Sequence, residues 1–323
     1  MKFPVFDLHC DTALLLLGKD RNTLGKLDKN ELHIDLERGA TLPGYAQCFA
    51  VFTTPTMRCP EGVSVIGMFE RELAAIMNQV EANADKIRIA YSADEIAENR
   101  KQGIMSAVLT IEGTAGFDYN IEMLGDLFNI GFRITTLSWN EQNPLTGSCK
   151  TGGGLTELGR EYVRRAQKVG MVVDVSHISD EGFWDIMDIT ERPVVATHSN
   201  SRSVCPNSRN LTDNMFREIC RSGGVVGFNL YKGFVGGTGT LEAACSHFLH
   251  FMSLDPDGKH IALGGDMDGC DPLIDGICGV QDYPKLAQAL LDHGFDQDTV
   301  EDIFWNNAMG VIENAVRNHS QPQ

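Results

Sequence analysis

Short runs of apolar residues alternate with amphipathic stretches along almost the whole chain. Eight of the runs have the length and composition of buried β-strands, and the stretches between them repeat their apolar residues with helical spacing. This alternation predicts an α/β fold with a parallel sheet, and eight such units form a (β/α)8 TIM-like barrel. The predicted strands are 4–9, 46–53, 106–112, 132–138, 171–176, 193–197, 224–230 and 260–265.

The amphipathic stretches are the predicted helices of this barrel. Several begin at residues that commonly cap helices, such as Ser179, Asp180 and Thr212. The predicted helices are 64–83, 121–129, 156–169, 180–188, 212–221, 241–254, 283–293 and 299–316.

Two segments fall outside the repeating pattern. Residues 18–45 are polar and too long for a simple barrel connection, so we expect an extra strand or loop that shapes the pocket. The polar tail 318–323 has the composition of a disordered segment. No linker or internal repeat divides the chain, and we expect residues 1–323 to form a single metal-dependent hydrolase barrel.

Charge and cysteine content narrow the classes of partner and compartment. The chain has 44 acidic and 27 basic residues and a formal net charge of −17, which repels nucleic acid phosphates and anionic lipids. No apolar stretch approaches the roughly 18 residues of a transmembrane helix. Nine cysteines without paired spacing indicate a reducing compartment. We expect a cytoplasmic protein that binds neither nucleic acid nor membranes.

Residues able to bind metal or transfer protons stand at the ends of five predicted strands. Because the carboxyl ends of parallel strands meet at one face of a barrel, these side chains are expected to converge there. Six residues form this set: His9, Asp11, Glu112, His177, His198 and Asp266.

The spacing of the set predicts a metal centre with two ions. His9 and Asp11 lie two residues apart and point the same way at a strand end, so both can bind one ion. His177 and His198 are separated by about one βα unit and can share a second ion. Imidazole and carboxylate ligands together suit zinc. Glu112, on a strand between the two pairs, has one oxygen for each ion and would bridge them.

A centre of this kind predicts hydrolysis of an amide or ester. Two divalent ions lower the pKa of a bridging water to give hydroxide near neutral pH, and they polarise the scissile carbonyl. Asp266, in the segment GGDMDG, is the predicted proton shuttle from the attacking water to the leaving amine. Asp268, two residues further on, is an alternative for that role.

These segments together resemble the membrane (renal) dipeptidase family of zinc peptidases, over nearly the whole length. FDLHCD is similar to the family's opening segment, TIEG to its bridging-glutamate segment and GGDMDG to its catalytic-aspartate segment. GLTELGREYVRRAQKVGMVVDVSHIS and THSNSRSVCPNSRNLTD are similar to its two histidine segments. The resemblance implies a distorted (β/α)8 barrel with two zinc ions, one bound by His9 and Asp11, the other by His177 and His198, and both by Glu112.

The resemblance also implies roles around the substrate. Asp266 would be the catalytic acid/base, and Arg209 would bind the substrate carboxylate, which a bidentate guanidinium recognises well. Tyr231, just past the seventh strand, matches a family tyrosine near the substrate. The family tolerates a D-residue at the C-terminal position and commonly forms dimers, so L,D-dipeptides are candidate substrates and a homodimer is possible.

The segment TLSWN departs from the family pattern. Animal members carry a histidine where this chain has Trp139, and an indole offers a single N–H donor and takes no charge at neutral pH. Either Trp139 or Asn140 then supplies a different contact to the substrate, or the preferred substrate differs from ordinary dipeptides.

Three functional hypotheses follow from the sequence. The first is a binuclear zinc dipeptidase that attacks small dipeptides with a metal-bridged hydroxide. The second keeps the metals and cleaves another small amide, lactam or lactone in a pocket reshaped by Trp139. The third is an inactive barrel that serves as a binding protein, which the intact set of ligands disfavours.

Overall fold

Eight parallel strands form a barrel in the computed structural model, which describes residues 3–316. The barrel strands are β1 (Val5–Cys10), β2 (Tyr45–Phe52), β4 (Met105–Glu112), β5 (Phe132–Thr136), β8 (Val172–Asp174), β9 (Val194–Val195), β10 (Val226–Phe228) and β11 (Ile261–Leu263). They are hydrogen-bonded in the order β10-β11-β1-β2-β4-β5-β8-β9. A parallel bridge between Ala196 and Val226 joins β9 to β10 and completes the barrel. The predicted fold class is confirmed.

Three further strands lie outside the barrel. β3 (Ile87–Ile89) pairs with the first half of β4, on the edge that β5 occupies further along. β6 (Thr146–Ser148) and β7 (Gly152–Leu155) form an antiparallel hairpin. Both features distort the regular alternation, and neither was predicted from the apolar pattern.

Helices connect the barrel strands and cover the outside of the sheet. The α-helices are α1 (Thr12–Leu15), α2 (Leu36–Gly39), α3 (Val65–Ala82), α4 (Ala93–Lys101), α5 (Leu124–Ile130), α6 (Glu157–Val169), α7 (Asp180–Ile189), α8 (Asp213–Ser222), α9 (Lys232–Val235), α10 (Leu241–Leu254), α11 (Tyr283–Asp292), α12 (Gln297–Glu301) and α13 (Asn307–Val316). Short 3₁₀ turns occupy Ala115–Phe117, Ile121–Met123 and Val280–Asp282, and a π-helical turn at Asp302–Asn306 joins α12 to α13. Between residues 3 and 316, no helix is both long and apolar enough to cross a bilayer.

Many helices begin at a residue whose side chain satisfies a free backbone N–H. Ser64, Ser179 and Thr212 each accept a hydrogen bond from the backbone N–H three residues on. These caps fix where the helices start, which explains why predicted and observed starts differ by about one residue.

Helix α13 closes the N-terminal end of the barrel. It contacts two neighbouring pairs of strands on different sides of the barrel, β11 with β1 and β5 with β8. Its residues Val311 and Ile312 join a buried apolar cluster that includes Phe6, Val172 and Ala262 from the strands. The N-terminal end is therefore filled by packed side chains, which leaves the C-terminal end for a site.

The structure changes the expectation for residues 18–45. Within this segment the structure has turns and the short helix α2, and no extra strand before β2 begins at Tyr45. Arg21, in this segment, lies on the wall of the cavity described below, as do Leu14 and Leu15 just before it. The segment does help to shape the pocket. The predicted disordered tail 318–323 lies outside the described residues.

Candidate active site and metal centre

All six predicted metal or proton-transfer residues come together at the C-terminal end of the barrel. His9 and Glu112 are within the last two residues of β1 and β4, and His177, His198 and Asp266 follow β8, β9 and β11 within three residues. His177 and Asp266 have left-handed backbone conformations, with φ of +65° and +56°. Such strain is uncommon outside glycine and is often found at functional sites.

The first group of ligand atoms surrounds the imidazole of His9. Its Nε2 lies 3.4 Å from Asp11 Oδ2, 3.4 Å from Glu112 Oε2 and 3.9 Å from Asp266 Oδ1. The loop after β11 runs beside β1, because Asp266 N donates to His9 O and Asp11 N donates to Met267 O. This pairing brings Asp266 to the other two carboxylates.

The second group surrounds the other oxygen of Glu112. His177 Nε2 lies 3.0 Å and His198 Nε2 lies 3.6 Å from Glu112 Oε1, and the two Nε2 atoms are 3.0 Å apart. Glu112 therefore directs Oε2 to the first group and Oε1 to the second. A carboxylate with one oxygen on each side is the arrangement of a bridging ligand.

The hydrogen bonds of the two Nδ1 atoms of His177 and His198 determine which ring nitrogen carries the proton and which directs its lone pair toward the centre. Thr197 Oγ1 donates to Asp174 Oδ2 at 2.6 Å, so it accepts from His198 Nδ1 at 2.8 Å. His177 Nδ1 lies 3.1 Å from Asn140 Oδ1, which can only accept. Both Nδ1 atoms thus carry the ring proton, and both Nε2 lone pairs point at Glu112 Oε1.

A cation fits this convergence of electron pairs. His9 Nε2 is buried and has no hydrogen-bond partner within the described chain. Burial lowers the pKa values of His177 and His198 well below the ordinary value, with a smaller contribution from nearby positive charges, so both imidazoles are neutral, which is the form that can bind a metal ion. The residues present fit divalent metal ions in both groups.

The ionisation of the carboxyl groups also depends on positive charge at this centre. Burial, and then the charge of Asp11, raises the pKa of Glu112 to about 8. Burial raises the pKa of Asp266 to about 6, with Asp11 adding to the effect and His9 opposing it. A bound cation stabilises the ionised forms of such groups and removes the cost of placing them together.

Sequence reasoning missed two buried aspartates that hold the ligands in place. Asp7 accepts hydrogen bonds from His9 N at 2.9 Å and Gly265 N at 3.0 Å, and from the Tyr283 hydroxyl. Asp174 accepts from Thr136, Ser176 and Thr197. Each lies two or three residues before a ligand histidine, and that spacing was the available signal.

The hairpin of β6 and β7 supports the second group. Cys149 N donates to His177 O at 2.8 Å, and Ser148 Oγ donates to Asn140 O at 2.8 Å. The hairpin thereby holds the strained His177 turn and the residue that orients its ring.

Asp266 and Asp268 occupy different environments. Asn229 Nδ2 donates to Asp266 Oδ2 at 2.9 Å, which leaves Oδ1 toward His9. Asp268 instead accepts from Thr12 Oγ1 and from His33 N, both at 2.6 Å, so both of its oxygens are already bonded. The geometry favours Asp266 over Asp268 for proton transfer.

A cavity of about 580 Å³ opens above the centre, within the range of small-molecule sites. Three of the predicted substrate-binding residues line it: Trp139, Asn140 and Tyr231. Trp139 packs edge-on against Phe52, with ring centroids 5.2 Å apart, and its centroid is 6.1 Å from that of His177. The indole therefore forms part of the wall beside the second group.

Arg209 is not among the residues that line this cavity. It is buried behind the wall, where Nη1 donates to Ser199 Oγ at 2.6 Å and Nη2 donates to His198 O at 3.0 Å. Its guanidinium lies 5.7 Å from the ring of Phe234, which does line the cavity. Nε has no partner within residues 3–316. In this structure Arg209 supports the His198 segment directly.

Comparisons with known proteins identify the family and agree with this fold. The family model described as membrane dipeptidase (peptidase family M19) matches residues 1–323. An uncharacterized protein of Klebsiella pneumoniae from the pqqA 5′ region is 32% identical over 266 residues, which covers 77% of this chain and 96% of that one. An uncharacterized dipeptidase of Schizosaccharomyces pombe is 29% identical over 316 residues, which covers 89% of this chain and 74% of that one.

A solved structure gives the same answer at the level of the fold. It is a metallopeptidase from Rhodobacter sphaeroides bound to a phosphinate mimic of the dipeptide L-Ala-D-Ala, with 26% identity and a TM-score of 0.87. The match covers 98% of this chain and 100% of that one. From the family match over its whole length and the shared barrel, the chain belongs to the membrane dipeptidase family of metallopeptidases, peptidase family M19.

Proposed function

We propose that this chain is a binuclear zinc dipeptidase that hydrolyses small dipeptides, including L,D-dipeptides. The observation that carries the proposal is the position of Glu112, with one oxygen 3.4 Å from His9 Nε2 and the other 3.0 Å from His177 Nε2. His9 and Asp11 would hold one ion, and His177 and His198 the other. Nitrogen and carboxylate ligands support zinc as the metal.

The two ions, when bound, would activate a water molecule for attack and polarise the scissile carbonyl. Asp266 would accept the proton of the attacking water at Oδ1 and deliver it to the nitrogen of the leaving amine. Asn229 supports this role because its hydrogen bond fixes the Asp266 carboxyl and leaves that oxygen toward the centre. Asp7 and Asp174 hold the histidine segments so that the ligands need no rearrangement.

The cavity wall supports a small peptide substrate. Asn140 Oδ1 is engaged by His177, so the amide nitrogen of Asn140 is the group left for a substrate carbonyl. Tyr231 and Trp139 supply further donors on the same wall. The dipeptide mimic bound to the Rhodobacter relative contains a D-residue at its C-terminal position, which supports L,D-dipeptides as substrates here.

Arg209 would bind the C-terminal carboxylate through its unpartnered Nε. In the present geometry Phe234 lies beside the guanidinium on the cavity side, so a shift of side chains would accompany substrate binding. Arg209→Ala should weaken binding of substrates with a free carboxylate and also loosen the His198 segment.

The test is hydrolysis of L,L- and L,D-dipeptides by zinc-loaded protein, with N-acetylated and C-amidated controls and metal content measured on the same samples. We expect two zinc ions per chain and turnover confined to dipeptides with both ends free. Protein that carries two ions and hydrolyses none of the dipeptides would refute the proposal and favour another small amide, lactam or lactone.

A further inference from the structure

Two arginines on the cavity wall have no role in the metal centre or in the proposed proton transfer. Arg21 lies in the loop after β1, and Arg58 lies in the loop between β2 and α3. The first loop follows β1 and the short helix α1, the second follows the neighbouring strand β2, and both arginines line the cavity. They are the arginines among the described residues that line the cavity.

Neither arginine is neutralised by the protein. Within residues 3–316, neither forms an ion pair with a carboxylate, although the chain has 44 acidic and only 27 basic residues. Arg21 donates Nη1 to the neutral acceptor Leu14 O at 3.2 Å, and its charge also acts on the buried carboxyl of Glu72 without an ion pair between them. Arg58 is exposed and has no hydrogen bond to any residue of the described chain. In so acidic a chain, two unpaired arginines on one cavity wall favour an anionic ligand.

The loops that carry the arginines are held in place by other contacts. Arg21 has a left-handed backbone with φ of +58°, and its carbonyl oxygen accepts from Arg71 Nη1 at 3.3 Å. Thr56, two residues before Arg58, hydrogen-bonds to Glu141 in the loop after β5. Both attachments order the loop backbones, so less conformational entropy is lost when the guanidinium groups bind an anion.

We propose that Arg21 and Arg58 form a subsite for a second carboxylate, so that the preferred substrates are dipeptides with an acidic side chain. The inference rests on the proposed dipeptidase function. A dipeptide with a neutral side chain has a single carboxylate, which one guanidinium can bind through a bidentate pair. Two guanidinium groups on separate loops, in addition to Arg209, are more than a single carboxylate requires. They match a dipeptide with a second carboxylate, in the side chain of an Asp or Glu residue.

The test compares substrates that have nearly the same shape and differ in charge. L-Ala-D-Glu is measured against L-Ala-D-Gln, and L-Ala-D-Asp against L-Ala-D-Asn, with the corresponding L,L and reversed dipeptides beside them. We expect kcat/KM to be roughly tenfold or more higher for the acidic member of the better pair, as for a charge-assisted hydrogen bond. The preference should shrink as salt is raised, because the subsite is open to solvent.

Variants then assign the preference to the two arginines. Arg21→Gln and Arg58→Gln should each lower kcat/KM for the acidic substrate severalfold or more and leave that for the amide substrate nearly unchanged. Arg58→Lys, which keeps the charge and loses the fork, should retain part of the preference. Arg217→Gln, on the exposed surface of α8, removes the same charge away from the cavity and should change neither substrate.

Each other outcome identifies what has failed. Equal or faster hydrolysis of the amide substrates by the native protein would overturn the acidic subsite and leave the dipeptidase function intact. Equal losses for both members of a pair in the arginine variants would also overturn it, because that result assigns the arginines to the common C-terminal carboxylate. Failure to hydrolyse any dipeptide, with both metal ions present, would refute the proposed function itself.

Discussion

Single side chains at the ends of the strands have sharply different tasks although several are chemically alike. Asp7 and Asp174 accept backbone and hydroxyl hydrogen bonds, Asp268 is bonded on both oxygens, and Asp266 keeps one oxygen toward the centre. The difference comes from the number of donors around each carboxyl. A carboxyl surrounded by donors orients its neighbours, and one with a free oxygen can exchange a proton.

Asp266→Asn should reduce kcat by about 10²- to 10⁴-fold, since an amide cannot carry the proton between water and leaving amine. Metal content should stay at the native level, because His9, Asp11 and Glu112 are unchanged. Steady-state kinetics and metal analysis of the same sample measure both. His177→Ala, by contrast, should lose metal from the second group.

Asp268→Asn is the matched control for this substitution. It should lower the melting temperature and leave kcat close to the native value, because Asp268 joins Thr12 to the His33 loop. Full activity of Asp266→Asn together with an inactive Asp268→Asn would transfer the acid/base role to Asp268.

The convergence of the six residues at the strand ends was predictable from the sequence, and the residues that hold them in position were not. A histidine or carboxylate at a strand end signals itself by its type and its place in the pattern, as His9, Asp11 and Glu112 do. Asp7 and Asp174 lie inside predicted strands, and their role depends on hydrogen-bond partners as distant as Gly265, Tyr283 and Thr197. Arg209 differs from both groups. The sequence predicts it as a substrate-binding residue, and the structure places it behind the cavity wall.

At the scale of elements, strands and helices were predicted correctly where the runs of apolar residues were long and regularly spaced. Every barrel strand and the long helices α3 and α10 were found within a few residues of their observed bounds. The hairpin of β6 and β7 was missed because its second strand is mostly glycine and has almost no side-chain pattern. The last predicted helix, 299–316, is divided by a π-helical turn at Asp302–Asn306, which periodicity does not reveal.

The contact of α3 with β2 contains a buried carboxyl. Glu72 Oε2 accepts from Phe52 N at 2.9 Å, and Oε1 has no partner among the described residues. Burial raises the pKa of Glu72 well above its ordinary value, and the hydrogen bond from Phe52 opposes this only in part. The folded protein therefore holds Glu72 protonated at pH values where the unfolded chain has it ionised.

Glu72→Gln should raise the free energy of unfolding at neutral pH, measured by denaturant titration of metal-free protein. A group with a raised folded pKa stabilises below its unfolded value near 4.5 and loses that contribution as pH rises. Each unit of difference in pKa between the folded and the unfolded chain corresponds to about 1.4 kcal/mol, so the gain should grow as the pH rises from 4.5 toward neutrality.

The gain should disappear as the pH approaches 4.5, since Gln keeps the shape and does not ionise. Glu70→Gln, on the exposed face of the same helix, is the control and should have little effect at either pH. A gain for Glu72→Gln that is equally large at pH 4.5 and pH 7 would show that ionisation is not its cause.

At the scale of the whole molecule, the metal centre connects five barrel strands through side chains at their ends. The proposed ligands lie at the ends of β1, β4, β8 and β9, and Asp266 follows β11; these five strands span most of the circumference. The fold class and the single barrel were predictable because eight alternating units leave few other topologies. The homodimer and the cytoplasmic location stay predictions of the sequence.

Removal of metal should lower the melting temperature of the entire barrel in a single transition. Ions that bind only the folded protein stabilise it by about 2.7 kcal/mol per site when free metal is 100 times the dissociation constant. Scanning calorimetry with chelator and with added zinc measures the difference. An unchanged melting temperature in metal-depleted protein would mean that the centre binds ions too weakly to serve as proposed.

Helix α13 fills one end of the barrel, which affects how substrates enter the cavity and how products leave it. If the chain hydrolyses dipeptides as proposed, the free amino acids must leave the cavity through the same opening by which the next dipeptide enters. Each product keeps one of the two charged ends of the substrate and can occupy the subsite of that end. Accumulating amino acids are therefore expected to slow turnover by competing with the dipeptide, and the rate of turnover would depend on the rate of product release.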